Sequence, residues 1–284
     1  MEWRGRRGSR NIEDRRSMGS SAGRAGGVGG VGLLVVVVVG YFLGIDVTGL
    51  LQDPSVSGGQ TGPVEMTEAD IAAGEFVSVT LADTEEVWAQ VFRDQLNRDY
   101  TPAVLVLYKG VTQSPCGNAS GASGPFYCPG DKKVYLDTDF FTTMEQRLGA
   151  KGDFAAAYVV AHEIAHHVQD ELGILSEANG LRAQGSETES NEISVRIELQ
   201  ADCLAGIWSR QASDTFGTIQ PGDFEEAVNA AHQIGDDTLA RNAGRVAQPH
   251  TFTHGTSAQR ARWFQAGVQS GEVADCDTFA ARRL

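Results

Sequence analysis

The stretch that decides the fold is residues 153–173, DFAAAYVVAHEIAHHVQDELG. An acidic residue at its start, a long Ala-rich and apolar run, and a closing glycine predict one helix over the whole stretch. The centre of this helix contains His162, Glu163 and His166 in the pattern H-E-x-x-H. Residues four apart project from the same face of a helix, one turn apart. The two imidazoles can therefore reach one zinc ion, at about 2.0–2.1 Å from each nitrogen.

This pattern predicts a hydrolytic metal site. Zinc lowers the pKa of a water molecule to near neutrality, and Glu163, beside the first histidine, can accept the proton. The chain contains only 6 histidines, and a chance match to the pattern is expected roughly 0.01 times in a chain of this composition. The neighbouring residues are small or apolar, which favours a buried metal site over a polar helix surface with incidental histidines.

A catalytic zinc needs a third protein ligand and one open position. The next long predicted helix, which begins after Ser186, contains ELQAD at 198–202. Glu198 has mostly apolar neighbours and is the predicted third ligand. Asp202, one turn later, is predicted to accept the free ring N–H of a ligating histidine. Three alternative ligands lie among polar residues, as is typical of a solvated helix face: Glu187, Glu189 and Glu192.

HEIAHHVQ at 162–169, followed by ELQADCLAG at 198–206, resembles the neutral zinc metallopeptidase family of bacteria. More broadly, it is similar to the gluzincins, whose zinc is held by H-E-x-x-H and a downstream glutamate. The resemblance runs from about residue 77 to the C-terminus and includes VYLDTDFF (134–141) and HGTSAQRARWF (254–264). It implies an α+β, zincin-like, mainly helical domain with one Zn²⁺ per chain that hydrolyses peptides or proteins outside the cytoplasm. No third histidine follows at the metzincin spacing.

In zincins a strand at the edge of the sheet binds substrate in extended form, and Val134–Leu136 is the candidate for that edge. An interior strand is the alternative for this segment. A peptidase also needs a donor for the developing oxyanion. His254, in a loop just before a predicted helix, is the candidate. Weaker candidates are His232, His250 and Tyr158, while His167 faces away from the metal ligands and is predicted to be structural.

The rest of the sequence predicts more helices than strands. Helices are expected over 84–96 with Thr84 as the cap, 139–148, 186–210, 223–240 and 257–268, and strands over 103–108 and 133–137.

The chain contains four cysteines, an even number that predicts disulfides in an oxidising compartment. Cys116 and Cys128 flank one Gly/Ser/Asn loop and form the first predicted pair. Cys203 and Cys276 form the second, and closing a loop of about 70 residues contributes roughly 4 kcal/mol in the chain-entropy model. The alternative is that Cys203 is a thiolate ligand, as in a peptide-deformylase-like site. It lies five residues beyond Glu198 and so points away from a zinc bound there.

Charge is divided unevenly along the chain. The net charge is −14, yet residues 1–24 hold seven arginines against three acids. Residues 25–45 carry no charge, and as a helix they would span about 31 Å, close to the thickness of a bilayer core. The positive-inside rule then predicts a flexible cytoplasmic tail (1–24), a single transmembrane helix (25–45), a linker (46–66) and an extracytoplasmic zinc domain (67–284). A cleaved signal peptide and a buried strand at 35–39 are the alternatives.

These features together predict a membrane-anchored, extracytoplasmic zinc metallopeptidase. The acidic balance argues against binding to nucleic acid. A non-catalytic zinc-binding interaction or chaperone-like module of the cell envelope is the alternative, because no specificity pocket can be read from the sequence. A third hypothesis is a latent peptidase in which residues 46–80 cover the cleft.

Overall fold

The computed structural model describes residues 1–17, 66–120, 124–220 and 222–284. Its helices are α1 (Glu68–Leu96), α2 (Asp139–Gln146), α3 (Asp153–Glu171), α4 (Ile174–Arg182), α5 (Glu187–Phe216), α6 (Asp223–Gln233), α7 (Asp236–Asn242) and α8 (Ser257–Ser270). Its strands are β1 (Ile12–Asp14), β2 (Val104–Tyr108), β3 (Val111–Ser114), β4 (Gly117–Ser120), β5 (Phe126–Cys128) and β6 (Lys133–Asp137). The predicted α+β class, dominated by helices, is confirmed for these residues.

The predicted transmembrane helix at 25–45 lies outside the described residues, as does the linker at 46–66 except for its last residue. Among the helices of the described ranges, none is both long enough and apolar enough to cross a membrane.

The main sheet has the strand order β1-β2-β6-β5. Strands β1, β2 and β6 run parallel, and β5 pairs antiparallel with β6. The prediction that Val134–Leu136 forms a sheet edge is therefore wrong, because β6 lies between β2 and β5. All three residues are buried, as expected for an interior strand. The outer strand on this side of the sheet is β5, and its Tyr127 hydroxyl donates to Asp170 of α3 at 2.9 Å.

Helix α3 forms the centre of the core, since all but a few of its residues are buried. Helices α5 and α8 pack closely against each other at two glycines. A Cβ atom on Gly206 would collide with the backbone oxygen of Phe264, and one on Gly267 would collide with that of Cys203. The absence of side chains here lets the two backbones touch. The disulfide between Cys203 and Cys276 extends this contact beyond the end of α8.

Two helix boundaries differ from the predicted ones. Helix α1 begins at Glu68, where Thr67 and Asp70 form a capping box. Thr84, the predicted cap, lies inside the helix, and its hydroxyl donates to the carbonyl of Leu81 at 2.7 Å. The predicted helix over 223–240 is instead two helices, α6 and α7, because Gly235 between them lies against the backbone of α8. The start of α1 is thus set by a local capping box that lies earlier than the predicted cap, whereas the break at Gly235 is set by a tertiary contact.

Residues 1–17 are part of the folded domain. Strand β1 pairs in parallel with β2, which makes it an edge strand of the main sheet. Arg6 forms a two-pronged ion pair with Asp83 of α1, with Nη2 2.8 Å from Oδ1. Arg16 is buried and donates to the backbone oxygen of Asp70. The basic residues of this segment therefore neutralise and bind groups of the domain itself.

This arrangement differs from the predicted flexible tail. Strand β1 pairs with β2, and Arg6 forms an ion pair with Asp83, so residues 1–17 pack on the domain instead of forming a flexible tail. The cytoplasmic location predicted for 1–24 and the extracytoplasmic location predicted for 67–284 stay predictions. The sequence prediction treated the arginines as a topology signal, whereas in the structure Arg6 pairs with Asp83 and Arg7 with Glu86, both on α1.

Candidate metal centre

Three predicted ligands meet at one point between α3 and α5. His162 Nε2 lies 3.1 Å from one carboxylate oxygen of Glu198, and His166 Nε2 lies 3.5 Å from the other. One ligand atom from each of the three residues falls within 4.8 Å of the other two. Two imidazoles on adjacent turns and one carboxylate from a second helix are a donor set that zinc takes in catalytic sites.

The opposite nitrogen of each imidazole is held by a second residue. His166 Nδ1 lies 2.9 Å from Gln169 Oε1, and the amide of Gln169 donates to the carbonyl of Ile197 at 2.9 Å. This fixes the ring so that Nε2 points toward Glu198, as outer groups do around metal-binding histidines. The sequence reasoning missed Gln169, although its position three residues after His166 on the same helix was an available signal.

Asp202 lies behind the other histidine, at the position predicted for it. Its Oδ1 is 2.9 Å from His162 Nδ1, a distance typical of an ion pair, although the N–H direction departs from that of a hydrogen bond. Arg260 of α8 donates to both oxygens of Asp202, at 2.9 and 3.0 Å. Tyr158 donates its hydroxyl to the same carboxylate at 2.5 Å. This use of its donor, in a fully buried position, removes Tyr158 from the candidate oxyanion donors.

Arg260 is the second residue that the sequence reasoning missed. It is only 2% exposed, and it comes from a helix 58 residues beyond Asp202. A buried guanidinium is stabilised only where a carboxylate pairs with it. The sequence carried only a weak signal for it, since Arg260 shares α8 with a second arginine, Arg262, which is exposed.

The electrostatics of the centre are dominated by the close packing of acids and imidazoles. Burial lowers the pKa of His162, but Asp202 and Glu198 outweigh it and raise the value to about 10. Burial raises the pKa of Glu198, yet the histidines around it, His166 first, hold the value well below its usual range. Metal binding requires neutral imidazoles, so binding of zinc here must release protons.

Glu163 follows the first histidine and is 8% exposed. Burial raises the pKa of its carboxyl group above the usual range, while His162 and His166 oppose that shift. A raised pKa makes a carboxylate a stronger proton acceptor. The place of Glu163 next to His162 in the sequence and this shift of its pKa therefore suit a general base.

His254 lies beside the centre, in the loop before α8. The backbone N–H groups of residues 253, 254 and 255 all donate to one oxygen of Asp236, at 2.9, 2.7 and 3.0 Å. Its ring Nδ1 lies 3.2 Å from the other oxygen, and the side chain is 50% exposed. Partial desolvation lowers the pKa of His254, but Glu198 and Asp236 outweigh it and raise the value.

The other histidines lie elsewhere. His232 lines a separate groove with Phe224, Val228 and Phe264, away from the metal centre. His250 lies in a short 3-10 helix, is exposed, and contacts Asn191 only through its backbone carbonyl among the hydrogen bonds of the described residues. Both are therefore poorly placed as oxyanion donors. His167 is buried between the hydroxyl of Tyr127 and the carbonyl of Thr101, which is a structural position.

The other candidate metal ligands named from the sequence do not lie at the metal centre. The alternative ligands Glu187, Glu189 and Glu192 are exposed on the first turns of α5. The structure contains both predicted disulfides, Cys116–Cys128 and Cys203–Cys276. A disulfide-bonded Cys203 offers no thiolate, so the deformylase-like alternative is wrong.

A second acidic group, formed by Asp153, Asp223 and Glu226, lies at the start of α3. The amino group of Met1 already contacts it, 2.6 Å from Asp153 and 3.3 Å from Asp223.

The fold and these side chains together define a class of protein. The class is a mainly helical α+β protein with H-E-x-x-H on one helix and a glutamate on a later long helix, in an arrangement that can hold a metal ion. A family model described as "Putative neutral zinc metallopeptidase" matches residues 1–279. The chain belongs to this family.

Relatives match along nearly the whole chain. The protein "Uncharacterized protein YpfJ" of Escherichia coli K12 is 47% identical over 287 residues, which cover 98% of this chain and 99% of that protein. "Uncharacterized protein Rv2575" of Mycobacterium tuberculosis and "Uncharacterized protein Mb2605" of Mycobacterium bovis are each 38% identical over 256 residues, or 85% of either chain. No solved structure matches the chain, so the zincin-like character of the fold stays a prediction.

Proposed function

We propose that this chain is a zinc metallopeptidase that hydrolyses peptide bonds in peptide or protein substrates. One observation carries the proposal: the Nε2 atoms of His162 and His166 converge on Glu198. Their Nδ1 atoms face Asp202 and Gln169 on the opposite side. Imidazoles oriented from behind in this way are typical of metal ligands. The family supplies independent support, since its description names a zinc metallopeptidase.

His162, His166 and Glu198 would hold one zinc ion, whose chemistry is to lower the pKa of a water molecule and polarise the scissile carbonyl. Glu163 would accept a proton from the attacking water and would pass it to the leaving amine. His254 would donate to the carbonyl oxygen as negative charge develops there. Asp202 and Gln169 hold the two imidazoles in place throughout.

We also propose that the domain works outside the cytoplasm. The support is the pair of disulfides, since such bonds persist mainly in oxidising compartments. The uncharged stretch at 25–45 is the proposed membrane attachment. Both of its flanks, residues 1–17 and the domain from residue 66 onward, would then lie in the same compartment.

The test compares zinc content and hydrolysis in four purified proteins: wild type, Glu163→Gln, Glu198→Ala and Glu192→Ala. Glu192 is the matched control, since it is an exposed glutamate on the same helix. We expect wild type and Glu192→Ala to bind one zinc per chain and to digest a peptide library. Glu163→Gln should keep the zinc and lose about 10²–10⁴-fold in rate, the usual contribution of a general base. Glu198→Ala should lose both zinc and activity.

A chelator should abolish wild-type hydrolysis, and added zinc should restore it. Zinc binding without hydrolysis by wild type would instead support the non-catalytic zinc-binding module. Hydrolysis by Glu163→Gln at the wild-type rate would show that the proposed mechanism is wrong.

A further inference from the structure

A cleft opens beside Glu198, between the end of α4, the middle of α5 and the loop before α8. It is lined by Arg182, Ser194, Ile197, Glu198, Thr253 and His254. Because Glu198 belongs to both the metal centre and this cleft, the cleft is close enough to receive a group that neighbours a scissile bond at that centre. The side chains of the cleft therefore bear on which substrates bind.

Arg182 contributes an exposed cation to the cleft. Its Nη1 donates to Asn179 at 3.1 Å, and its Nε donates more weakly to Ser190 at 3.4 Å. Both partners are uncharged, so they orient the guanidinium without neutralising it. Within the described residues, no carboxylate lies within 4.0 Å of Arg182, whereas Arg210 pairs with Asp214 at 3.0 Å.

The carboxylate groups that line the cleft do not neutralise the positive charge of Arg182. Glu198 is the one carboxylate among the lining residues of the cleft, and its oxygens face His162 and His166. The chain as a whole has a net charge of −14, which disfavours the approach of acidic peptides at long range. Any preference for them must therefore come from short-range contacts in this cleft.

We propose that Arg182 binds a carboxylate of the substrate, so that the peptidase prefers peptides with an acidic side chain or a free C-terminal carboxylate beside the scissile bond. A guanidinium suits this role, since its planar fork donates two parallel hydrogen bonds to one carboxylate. The proposal rests on the proposed peptidase function and names the substrate class of that same site.

The test uses two matched peptide pairs. One pair differs only by Glu against Gln next to the cleaved bond, and the other by a free against an amidated C-terminus. We expect wild type to cleave at least one carboxylate-bearing peptide with about tenfold higher kcat/KM than its neutral partner, the ratio that 1.4 kcal/mol gives. The pair that shows the difference identifies the source of the carboxylate.

Three substitutions then locate the preference. Arg182→Ala should bring the ratio close to one, and Arg182→Lys should restore only part of it. Arg182→Glu should reverse the preference toward a peptide with Lys at the same place. Arg93→Ala, at an exposed arginine on α1, is the control that changes net charge equally and should leave the ratio unchanged.

A binding measurement separates this proposal from the peptidase proposal. Glu163→Gln protein loaded with zinc should bind the fluorescent Glu peptide or the free-acid peptide about tenfold more tightly than its neutral partner, and the added Arg182→Ala change should remove that difference. Equal cleavage and binding of all four peptides would overturn the carboxylate proposal alone. An inactive wild type would overturn the peptidase function, and the carboxylate proposal with it.

Discussion

His254 combines a fixed backbone with a half-exposed imidazole at the edge of the metal centre. Three backbone N–H groups bind the loop to one oxygen of Asp236, and the ring Nδ1 contacts the other oxygen at 3.2 Å, which leaves Nε2 on the exposed side of the ring. The exposed ring can then meet a substrate oxygen without losing other bonds. This combination distinguishes it from His232, which lies in another groove.

We therefore expect His254→Ala to lower kcat by about 10²–10³-fold, the loss that follows removal of one oxyanion donor. Zinc content should stay at one per chain, because His254 is outside the three ligands. Steady-state kinetics and metal analysis on the same preparation provide the measurement. His250→Ala, at the exposed histidine four residues earlier, is the control and should keep wild-type kcat. A rise in KM with unchanged kcat would assign His254 to substrate binding instead.

At the scale of residues, the sequence identified candidates for the metal ligands more completely than the residues that hold those ligands in place. H-E-x-x-H and the glutamate at 198 follow from helical spacing and apolar neighbours, both local properties. Gln169 and Arg260 were missed because their roles depend on which helices face each other. The position of Gln169 three residues after His166 is a local signal, but its hydrogen bond to the carbonyl of Ile197 on α5 depends on how α3 and α5 pack.

At the scale of elements, the centre depends on the contact between α5 and α8. Arg260 of α8 neutralises Asp202 of α5, and the glycines described above let the helices approach closely enough for it. The pair is almost completely buried, at 2% and 0% exposed. In such a position the loss of either partner leaves an uncompensated charge inside the protein.

We therefore expect Arg260→Leu to lower the free energy of unfolding by about 3–5 kcal/mol, the cost of breaking a buried pair from one side. It should also weaken zinc binding, because Asp202 would lose its fixed orientation toward His162. Urea unfolding followed by circular dichroism gives the first value, and zinc titration gives the second. Arg262→Leu, at an exposed arginine on the same helix, should change both by little. Equal effects of the two substitutions would contradict this account.

The elements themselves were only partly predictable. Helix α5 follows from its capping box at Ser186, and α3 follows from its long Ala-rich and apolar run. The N-cap of α3 is Gly152, without a side-chain hydrogen bond, and Asp153 is the first residue of the helix. The short strands β1 and β5 were missed, since three residues each carry too little pattern to be recognised. Strand β1 pairs with residues more than ninety positions later in the sequence. Strand β5 pairs with β6, which begins five residues after β5 ends. These pairings form only in the folded chain.

At the scale of the whole molecule, the N-terminal segment determines how the charge pattern should be interpreted. Seven arginines before an uncharged stretch are typical of a tail that stays in the cytoplasm. In the structure Arg6 and Arg16 instead bind Asp83 and the backbone of Asp70. The family match begins at residue 1 as well. Segment and domain therefore belong to one folding unit.

The packing of residues 1–17 on the domain predicts that both lie on the same side of the membrane, which can be tested in cells. We expect cysteines introduced as Ser17→Cys and Arg283→Cys, both at exposed positions, to react with a membrane-impermeant maleimide in the same preparation, either intact spheroplasts or inverted vesicles. The reason is that β1 can pair with β2 only if both lie on the same side of the membrane. Labelling after detergent treatment provides the control for the reactivity of each cysteine. Reaction of the two cysteines in opposite preparations would restore the single-span topology and would show that β1 does not pair with β2 in the native protein.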